Sequence, residues 1–203
     1  MTTDSKEEDR ALAIAARAGD SHAFEQLVLR HKSSLYRLAR RYVGNADEAY
    51  ELVQEAFVAA WLALGRFDPT QSFISWLRTI LLNRCRDHAR RRAVRGRVLA
   101  LFLHESPQSH EPDEREADRE QDLLEQQRMR QLDRAIAELP AIYKEPLLLT
   151  LVSGLTQSET ARELNITVKA VEMRIRRAKL RLAATLTDRS PSAAGSGGVI
   201  RKR

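Results

Sequence analysis

Residues 73–92 read FISWLRTILLNRCRDHARRR, and they join the apolar face of a helix to a dense cluster of arginines. Between Arg78 and Arg97 there are eight arginines and one acidic residue, Asp87. Two or three arginines near a helix end would only offset the helix dipole. Eight of them indicate a surface that holds a polyanion. Phe73 and Trp76 lie beside the cluster, and aromatic rings next to cations are typical of proteins that bind single-stranded nucleic acid.

The aromatic residues nearby have a second interpretation. Trp61 and Trp76 occupy apolar positions of predicted helices, where a tryptophan is more often part of the core than a platform for a base. The loop before Phe73, at residues 65–72, is therefore the better candidate for contact with unpaired bases.

The charge of the chain is positive and unevenly distributed. The 203 residues carry a net charge of +6, which favours an acidic partner such as nucleic acid. Residues 105–125 contain nine acidic residues against two arginines, whereas residues 169–181 contain six basic residues against one acid, Glu172. Such blocks indicate separate modules joined by an acidic connector.

The composition also bears on the cellular compartment. Cys85 is the one cysteine, so no intramolecular disulfide can form, and its apolar helical position favours burial over reactivity. The N-terminus does not resemble a signal peptide, and no apolar run approaches the length that spans a bilayer. We expect a cytoplasmic protein without membrane insertion.

Helical periodicity extends over most of the chain, and the sequence contains no sustained alternation of apolar and polar residues. We expect an all-α protein with two helical domains and a flexible connection. The expected divisions are a four-helix domain at 1–95, an acidic linker at 96–127, a helix-turn-helix domain at 128–187 and a disordered tail at 188–203.

Local signals place the helices of the N-terminal domain. The predicted helices lie at about 4–19, 21–43, 47–64 and 73–92. Asp20 or Ser21 is the expected cap of the second helix, Asp47 of the third and Ser72 of the fourth. In the C-terminal domain, helix is predicted from about Arg128 to Pro140 and again over residues 143–151.

Residues 156–182 predict a helix-turn-helix. Thr156 and Glu159 match a capping box, Asn165 lies at the turn and Thr167 can cap the second helix. In the DNA-binding interpretation, the outward residues that enter a major groove are Lys169, Glu172, Met173 and Arg176. The residues that would hold phosphates are Arg174, Arg177, Lys179 and Arg181. Outward basic residues are often only solvated, but the cap, the turn and the charge all favour DNA binding here.

An acidic face is predicted on the third helix, where Glu48, Glu51 and Glu55 follow one another at helical spacing. Such faces are commonly only solvated. Within a basic domain, however, carboxylates cannot favour DNA, so the face is consistent with a protein partner that carries basic residues.

Enzyme chemistry finds no support in the sequence. The five histidines lack paired metal-ligand spacing, and neither a Gly-rich phosphate loop nor a Gly-x-Ser-x-Gly motif is present. No cofactor is expected.

Several blocks, in this order, match one family. They are Ala18-Gly19-Asp20 with Ala23-Phe24 and Leu27-Val28, Leu52-Val53-Gln54-Glu55-x-Phe57, the 73–91 segment with Trp76-Leu77, Asn83, Asp87 and Arg90-Arg91, Leu139-Pro140, Gly154-Leu155-Thr156 with Glu159, Ala161 and Leu164, and Val171 with Arg174-Ile175 and Arg177-Ala178. On these residues the chain resembles the extracytoplasmic-function sigma factors, small bacterial initiation factors that direct RNA polymerase to promoters. The resemblance covers about residues 8–92 and 128–186.

The resemblance implies partners and site residues. It implies binding to bacterial core RNA polymerase, with contacts from Glu48, Glu51, Leu52, Gln54, Glu55 and Phe57. It implies that the single-stranded minus-10 element is held by Arg66, Phe67, Asp68, Ser72, Phe73, Trp76, Asn83, Arg84, Asp87, Arg90 and Arg91. It implies that the minus-35 duplex is read by Thr167, Lys169, Glu172, Met173, Arg174, Arg176, Arg177 and Lys179. An anti-sigma factor that restrains the protein is a further implied partner.

The chain departs from the family pattern at two places. Tyr50-Glu51 stands where many members have Glu-Asp. At the start of the recognition helix, Lys169-Ala170-Val171 stands where Gly-Thr-Val is common, and Glu172-Met173 replaces a frequent Lys-Ser pair. Promoter specificity therefore does not transfer. Two alternatives stay open from the residues alone: a helix-turn-helix regulator that acts without polymerase, and a nucleic-acid-processing enzyme.

Overall fold

The computed structural model describes the backbone of residues 3–102 and 120–188, and the side chains of residues 5–95 and 127–187. These ranges contain α-helices, one short 3₁₀-helix (Leu64–Arg66) and no strand. The α-helices are α1 (Thr3–Arg17), α2 (Ser21–Val43), α3 (Ala46–Ala63), α4 (Phe73–Phe102), α5 (Glu120–Glu138), α6 (Ala141–Leu151), α7 (Gln157–Leu164) and α8 (Val168–Asp188). The all-α prediction, with α1–α4 in an N-terminal half and α5–α8 in a C-terminal half, is confirmed.

Short polar residues set the helix boundaries of the N-terminal half. The Asp20 carboxylate accepts a hydrogen bond from Ala23 N at 3.1 Å and caps α2. Gly44 ends that helix with a φ of 80°, a conformation that costs glycine little. Asn45 then caps α3 by accepting from Glu48 N at 3.0 Å. The predicted cap, Asp47, is wrong because that residue already lies inside the first turn.

The core of the N-terminal half is built from leucines on α2 and α4. Leu27, Leu35 and Leu38 of α2 are fully buried, as are Leu77 and Leu81 of α4. α2 packs against α1, α3 and α4, and α3 packs against α4. This packing holds α4, which carries the arginines, in a fixed orientation against α3, which carries the carboxylates.

Cys85 is buried on α4, as the sequence predicts. Burial raises the pKa of its thiol to about 12. Because only the thiolate reacts, we expect a disulfide reagent to label the folded chain at least ~100-fold more slowly than the urea-unfolded chain at pH 8. Equal labelling rates in the two states would contradict this placement.

Two helix boundaries differ from the sequence prediction. α4 continues to Phe102 rather than ending near Arg92, and α5 begins at Glu120 rather than near Arg128. Residues 93–102 are rich in alanine, arginine and leucine, which sustain a helix by propensity even though the apolar periodicity has faded. The rest of the predicted linker, residues 103–119, and the predicted tail beyond Asp188 lie outside the described residues.

The C-terminal half contains the predicted helix-turn-helix. Thr156 and Glu159 form a capping box at the start of α7, and Asn165 adopts a left-handed φ of 51° at the turn. Thr167 Oγ1 accepts a hydrogen bond from Ala170 N at 3.1 Å at the start of α8. The helical spacing of Val171, Ile175, Ala178 and Leu182 predicts the inner face of α8. In the structure Val171 and Ala178 are fully buried, Leu182 is 8 % exposed and Ile175 is half-buried.

Candidate nucleic-acid and polymerase interfaces

The arginines of α4 lie on different faces of the helix, because each successive residue of an α-helix is rotated by about 100° around the axis. Arg78 and Arg86 face the C-terminal half, and Arg92 faces α3. Arg90 belongs to an open stripe, and Arg84 and Arg91 line a groove against α3. A cluster that looks uniform in sequence is thus several distinct sites.

Arg78 and Arg86 are held by carboxylates of the C-terminal half. Arg78 Nε and Nη2 donate to the two carboxylate oxygens of Glu163 at 2.6 and 2.7 Å, and both side chains are less than a tenth exposed. Arg86 donates in the same two-pronged way to Glu145, at 2.6 and 2.5 Å. Bidentate pairs of this kind are the strong, orientation-specific class of charged hydrogen bond.

Further contacts surround Glu145 and join the two halves. Tyr42 Oη donates to Glu145 Oε1 at 3.2 Å, and Arg41 pairs with Asp133. Lys144 Nζ donates to the carbonyl oxygens of Ala137 and Tyr42 at 2.6 and 3.1 Å. Burial lowers the pKa of Lys144 to about 8. The halves therefore meet through buried, satisfied polar groups as well as through apolar packing.

An open polar stripe runs along α4. Asn83, Asp87 and Arg90 are separated by four and three residues, so they share one face, and all three are exposed. Asn83 Oδ1 accepts from Arg86 Nη1 at 2.8 Å, and Arg90 lies 3.4 Å from the Asp87 carboxylate. The stripe offers both hydrogen-bonding groups and a cation to a passing strand.

An open groove of about 640 Å³ lies at the surface between α3 and α4. Glu51, Gln54 and Glu55 line it from α3, and Arg84 and Arg91 line it from α4. Apolar side chains complete the α3 side, where Val58 is 60 % and Leu62 is 79 % exposed. The structure thus places two carboxylates, which are predicted to contact polymerase, in one groove with two arginines, which are predicted to contact the minus-10 strand.

The other predicted polymerase contacts are placed differently. Leu52 and Phe57 are buried, so they support α3 from within the core. Glu48 lies 3.3 Å from Arg92 and 3.8 Å from His88 of α4. That Leu52, Phe57 and Glu48 take part in polymerase binding stays a prediction. Because Leu52 and Phe57 are buried, they would affect binding only by holding α3 in position.

The loop at residues 65–72, which we term the capture loop, stands on an aromatic base. Phe67 and Phe73 are each 2 % exposed, with ring centroids 5.5 Å apart, and Trp76 lies 5.0 Å from Phe67. Trp76 is half-buried and packs on the core, as the core interpretation predicts. For Trp61 that interpretation is wrong, because its side chain is 41 % exposed and contacts Phe24 at the surface.

The tip of the capture loop is held in a turn by Asp68. Its carboxylate accepts hydrogen bonds from Thr70 N at 2.9 Å and from Thr70 Oγ1 at 2.8 Å. These hydrogen bonds lower the pKa of Asp68, and the bond from the Thr70 backbone N–H has the larger effect. Arg66 and Asp68 are exposed and Ser72 is half-exposed, so these three polar side chains are accessible from solvent above the buried rings.

The predicted minus-35 residues lie on the open side of α8. The exposed ones are Thr167, Lys169, Glu172, Met173, Arg176, Arg177 and Lys179. Arg174 is half-buried. The Arg181 guanidinium lies over the Tyr143 ring, 5.1 Å from its centroid, so part of its charge is directed at the C-terminal half itself.

Several charged residues have structural partners that the sequence does not indicate. Asp9 and His31 form a buried pair between α1 and α2, with Nε2 to Oδ2 at 2.8 Å. Glu145 and Glu163 pair with arginines that are 59 and 85 residues away in sequence. Because each partner lies on a distant element, no local spacing could have paired them.

The described residues were also compared with what metal-binding and membrane-spanning proteins require. Among them, no group of three or more histidine, cysteine, aspartate or glutamate side chains comes together as a candidate metal site. Within residues 3–102 and 120–188, none of the helices combines the length and the apolar character that crossing a membrane would require.

Comparisons with known proteins identify both halves. The family model "Sigma-70 region 2" matches residues 27–95, and the model "Sigma-70, region 4" matches residues 129–182. RNA polymerase sigma factor CnrH of Cupriavidus metallidurans is 36 % identical over 184 residues, which cover 88 % of this chain and 94 % of that protein. The ECF RNA polymerase sigma factor SigM of Mycobacterium tuberculosis is 31 % identical over 178 residues, which cover 88 % of this chain and 84 % of SigM.

A solved structure extends the likeness to the fold. The structure of CnrH in complex with the cytosolic domain of CnrY superposes with a TM-score of 0.63 at 35 % sequence identity, covering 90 % of this chain and 99 % of CnrH. Of the alternatives left open by the sequence, a regulator independent of polymerase and an enzyme do not fit these matches. The chain belongs to the extracytoplasmic-function sigma factors, the non-enzymatic initiation factors that bind core RNA polymerase and direct promoter recognition and melting.

Proposed function

We propose that the α3–α4 groove is the surface that docks on core RNA polymerase. Glu51, Gln54 and Glu55 would make the polar contacts, and Val58 and Leu62 would be covered by the partner. The observation that carries this proposal is the exposure of two carboxylates beside two large apolar side chains on a protein of net charge +6. The carboxylates and apolar side chains on the α3 side suit a basic and partly apolar protein segment, whereas Arg84 and Arg91 line the α4 side.

Reversing both groove carboxylates tests the docking surface. We expect Glu51→Arg with Glu55→Arg to weaken binding to core polymerase at least ~10-fold, because like charges across an interface cost several kcal/mol. Fluorescence-detected titration of labelled protein with core enzyme measures this. Glu25→Arg is the matched control, since Glu25 is an exposed carboxylate of α2 whose partner is His22. Equal losses in both variants would point to a general charge effect and count against the groove.

The capture loop and the α4 stripe are proposed to hold the minus-10 strand. Extruding a base from a duplex costs a few kcal/mol, so a melting factor needs compensating contacts for both the base and its phosphates. Arg66, Asp68 and Ser72 supply hydrogen-bonding groups at the loop, and Asn83 and Arg90 supply them on the stripe. Phe67, Phe73 and Trp76 would support the loop from beneath rather than stack on the base, since the two phenylalanines are buried.

The open side of α8 is proposed to read the minus-35 duplex. Lys169, Glu172, Met173 and Arg176 would face base edges in the major groove, where base pairs are distinguishable. Arg174, Arg177 and Lys179, with Thr167 at the helix start, would contact the backbone. The exposure of the helix start and its positive charge support this arrangement.

In vitro transcription tests the proposal as a whole. We expect core enzyme to produce a specific transcript from a pool of promoters only when this chain is added. Duplex binding by the chain alone, to sites with two-fold symmetry and without any effect of core enzyme, would instead support a stand-alone regulator.

We also propose that an anti-sigma factor restrains this protein in the cytoplasm. The solved structure of CnrH holds the cytosolic domain of CnrY, and this chain aligns with nearly all of CnrH. A candidate inhibitor added in excess should abolish the specific transcript and displace the chain from core enzyme in gel filtration. An inhibitor that stops transcription while the chain stays on the core would indicate another mode of control.

A further inference from the structure

A buried polar network connects α1 with α2 at a site that no proposed DNA or polymerase contact uses. The Asp9 side chain is 3 % and the His31 side chain 6 % exposed, and His31 Nε2–H donates to Asp9 Oδ2 at 2.8 Å. The second oxygen, Asp9 Oδ1, accepts from Arg30 Nη1 at 2.9 Å. Arg30 in turn reaches Glu8 through Nη2 at 2.9 Å. With both oxygens engaged, the Asp9 carboxylate has one orientation, and it fixes the plane of the His31 ring.

The His31 ring lies directly beside the aromatic base of the capture loop. Its centroid is 6.0 Å from that of Phe73, at an interplanar angle of 38°. Phe73 is the first residue of α4 and follows the capture loop, and Phe67, which lies within the loop, packs edge-on against it. α1 also contacts the 3₁₀-helix Leu64–Arg66 and α4. The network therefore contacts Phe73, one of the buried rings beneath the capture loop, while Arg66 and Asp68 of the loop remain exposed to solvent.

Stability alone does not account for this network. A buried carboxylate held by hydrogen bonds contributes little to stability compared with apolar side chains of similar volume, because it loses its hydration. What such a pair does provide is a defined geometry, as when a carboxylate orients a histidine that must present one face. Here the presented face is the one that packs against Phe73.

We propose that Asp9 and His31 are positioning residues for base capture. They hold Phe73, and through it Phe67 and Trp76, so that the capture loop keeps the shape that accepts an unpaired minus-10 base. They do not contact DNA. The inference rests on the proposed role of the capture loop, and it adds α1, a helix outside the matched family regions, to the parts that determine minus-10 selectivity.

The test uses holoenzyme assembled from core polymerase and the full chain. A promoter pool with both elements randomised is transcribed, and the enriched sequences are read. His31→Phe keeps a ring and removes the hydrogen bond, whereas Asp9→Leu removes the acceptor. Both variants should lose base preference at the minus-10 element about tenfold, the effect of one buried hydrogen bond, while minus-35 preference is unchanged. Asp9→Asn, which keeps an acceptor, should be intermediate.

A spectroscopic readout keeps the proposal testable if a variant is poorly stable. In a Trp61→Phe background, Trp76 is the one remaining tryptophan, and its quenching by acrylamide should rise in His31→Phe and Asp9→Leu at temperatures below unfolding. Glu7→Gln is the matched control: Glu7 is an exposed carboxylate on the same helix and takes no part in the network. It should leave both readouts unchanged.

Three results would overturn the inference. Lowered thermal stability with intact minus-10 preference and intact Trp76 quenching would show a purely structural role. A parallel loss of preference at both elements would show a general defect. A wild-type chain that gives no minus-10 preference with core enzyme would refute the proposed function itself, and the inference with it.

Discussion

Glu163→Ala is expected to separate the two helical halves. The substitution leaves the Arg78 guanidinium, whose side chain is 9 % exposed, without its bidentate carboxylate. Removing one member of a buried pair typically costs about 3–5 kcal/mol, because the remaining charge stays desolvated. Arg78 Nη2 retains a hydrogen bond to Ser75 Oγ at 3.2 Å. We therefore expect a loss of stability near the lower end of this range, about 3 kcal/mol. Opening the interface restores water to Arg78, so separation is the easiest response.

Small-angle scattering and thermal unfolding measure this outcome. The radius of gyration should increase, and the unfolding transition should shift down and lose cooperativity. Glu172→Ala on the open face of α8 serves as control, with an expected change within about 0.5 kcal/mol. The pair Arg78→Met with Glu163→Met should restore a compact chain, since an apolar pair can replace a buried ion pair without loss. A compact, fully stable Glu163→Ala chain would show that the other contacts suffice to join the halves.

The remaining contacts between the halves explain why one substitution should not act in isolation. Glu145 receives bonds from Arg86 and Tyr42, while Lys144 donates to the Tyr42 carbonyl. These residues are adjacent in space, so their energies are not additive. A double-mutant cycle that combines Glu145→Gln with Glu163→Ala measures whether this cluster and the Arg78–Glu163 pair are coupled.

Local signals predicted much of this structure. The capping box at Thr156, the turn at Asn165 and the cap at Asp20 depend on neighbours within three residues, and each is observed. The buried face of α8 follows from a single period, and it too is observed. Features determined within one or two helical turns are readable because the chain itself brings the partners together.

Features that depend on distant partners could not be predicted. Glu163 reads as an ordinary exposed residue of a short helix, and its burial depends on Arg78, which is 85 residues earlier. The arginine cluster reads as a single phosphate-binding surface, yet Arg78 and Arg86 are neutralised within the protein. Leu52 and Phe57 belong to a conspicuous motif, and only the packing of α3 shows that they lie in the core.

Arg90→Ala with Arg91→Ala is expected to weaken open-complex formation and to flatten its dependence on salt. Each phosphate contact with a single strand contributes about 0.7 to the slope of log affinity against log salt concentration. Two lost contacts would lower the slope by about 1.4, and at low salt the complex should weaken by more than tenfold. Permanganate footprinting of the opened promoter, at several potassium chloride concentrations, measures both quantities.

The single variants separate the two faces of α4. Arg90 lies on the open stripe with Asn83 and Asp87, so Arg90→Ala should change the salt slope and leave the affinity for core polymerase intact. Arg91 lines the groove with Glu51 and Glu55. If its main contact is with polymerase, Arg91→Ala should change core affinity and not the slope. If it holds phosphate, as the sequence predicts, the slope alone should fall. Lys32→Ala, an exposed cation on α2, is the control for net charge. An unchanged slope in both Arg90→Ala and the double variant would remove the α4 stripe from the DNA-binding surface.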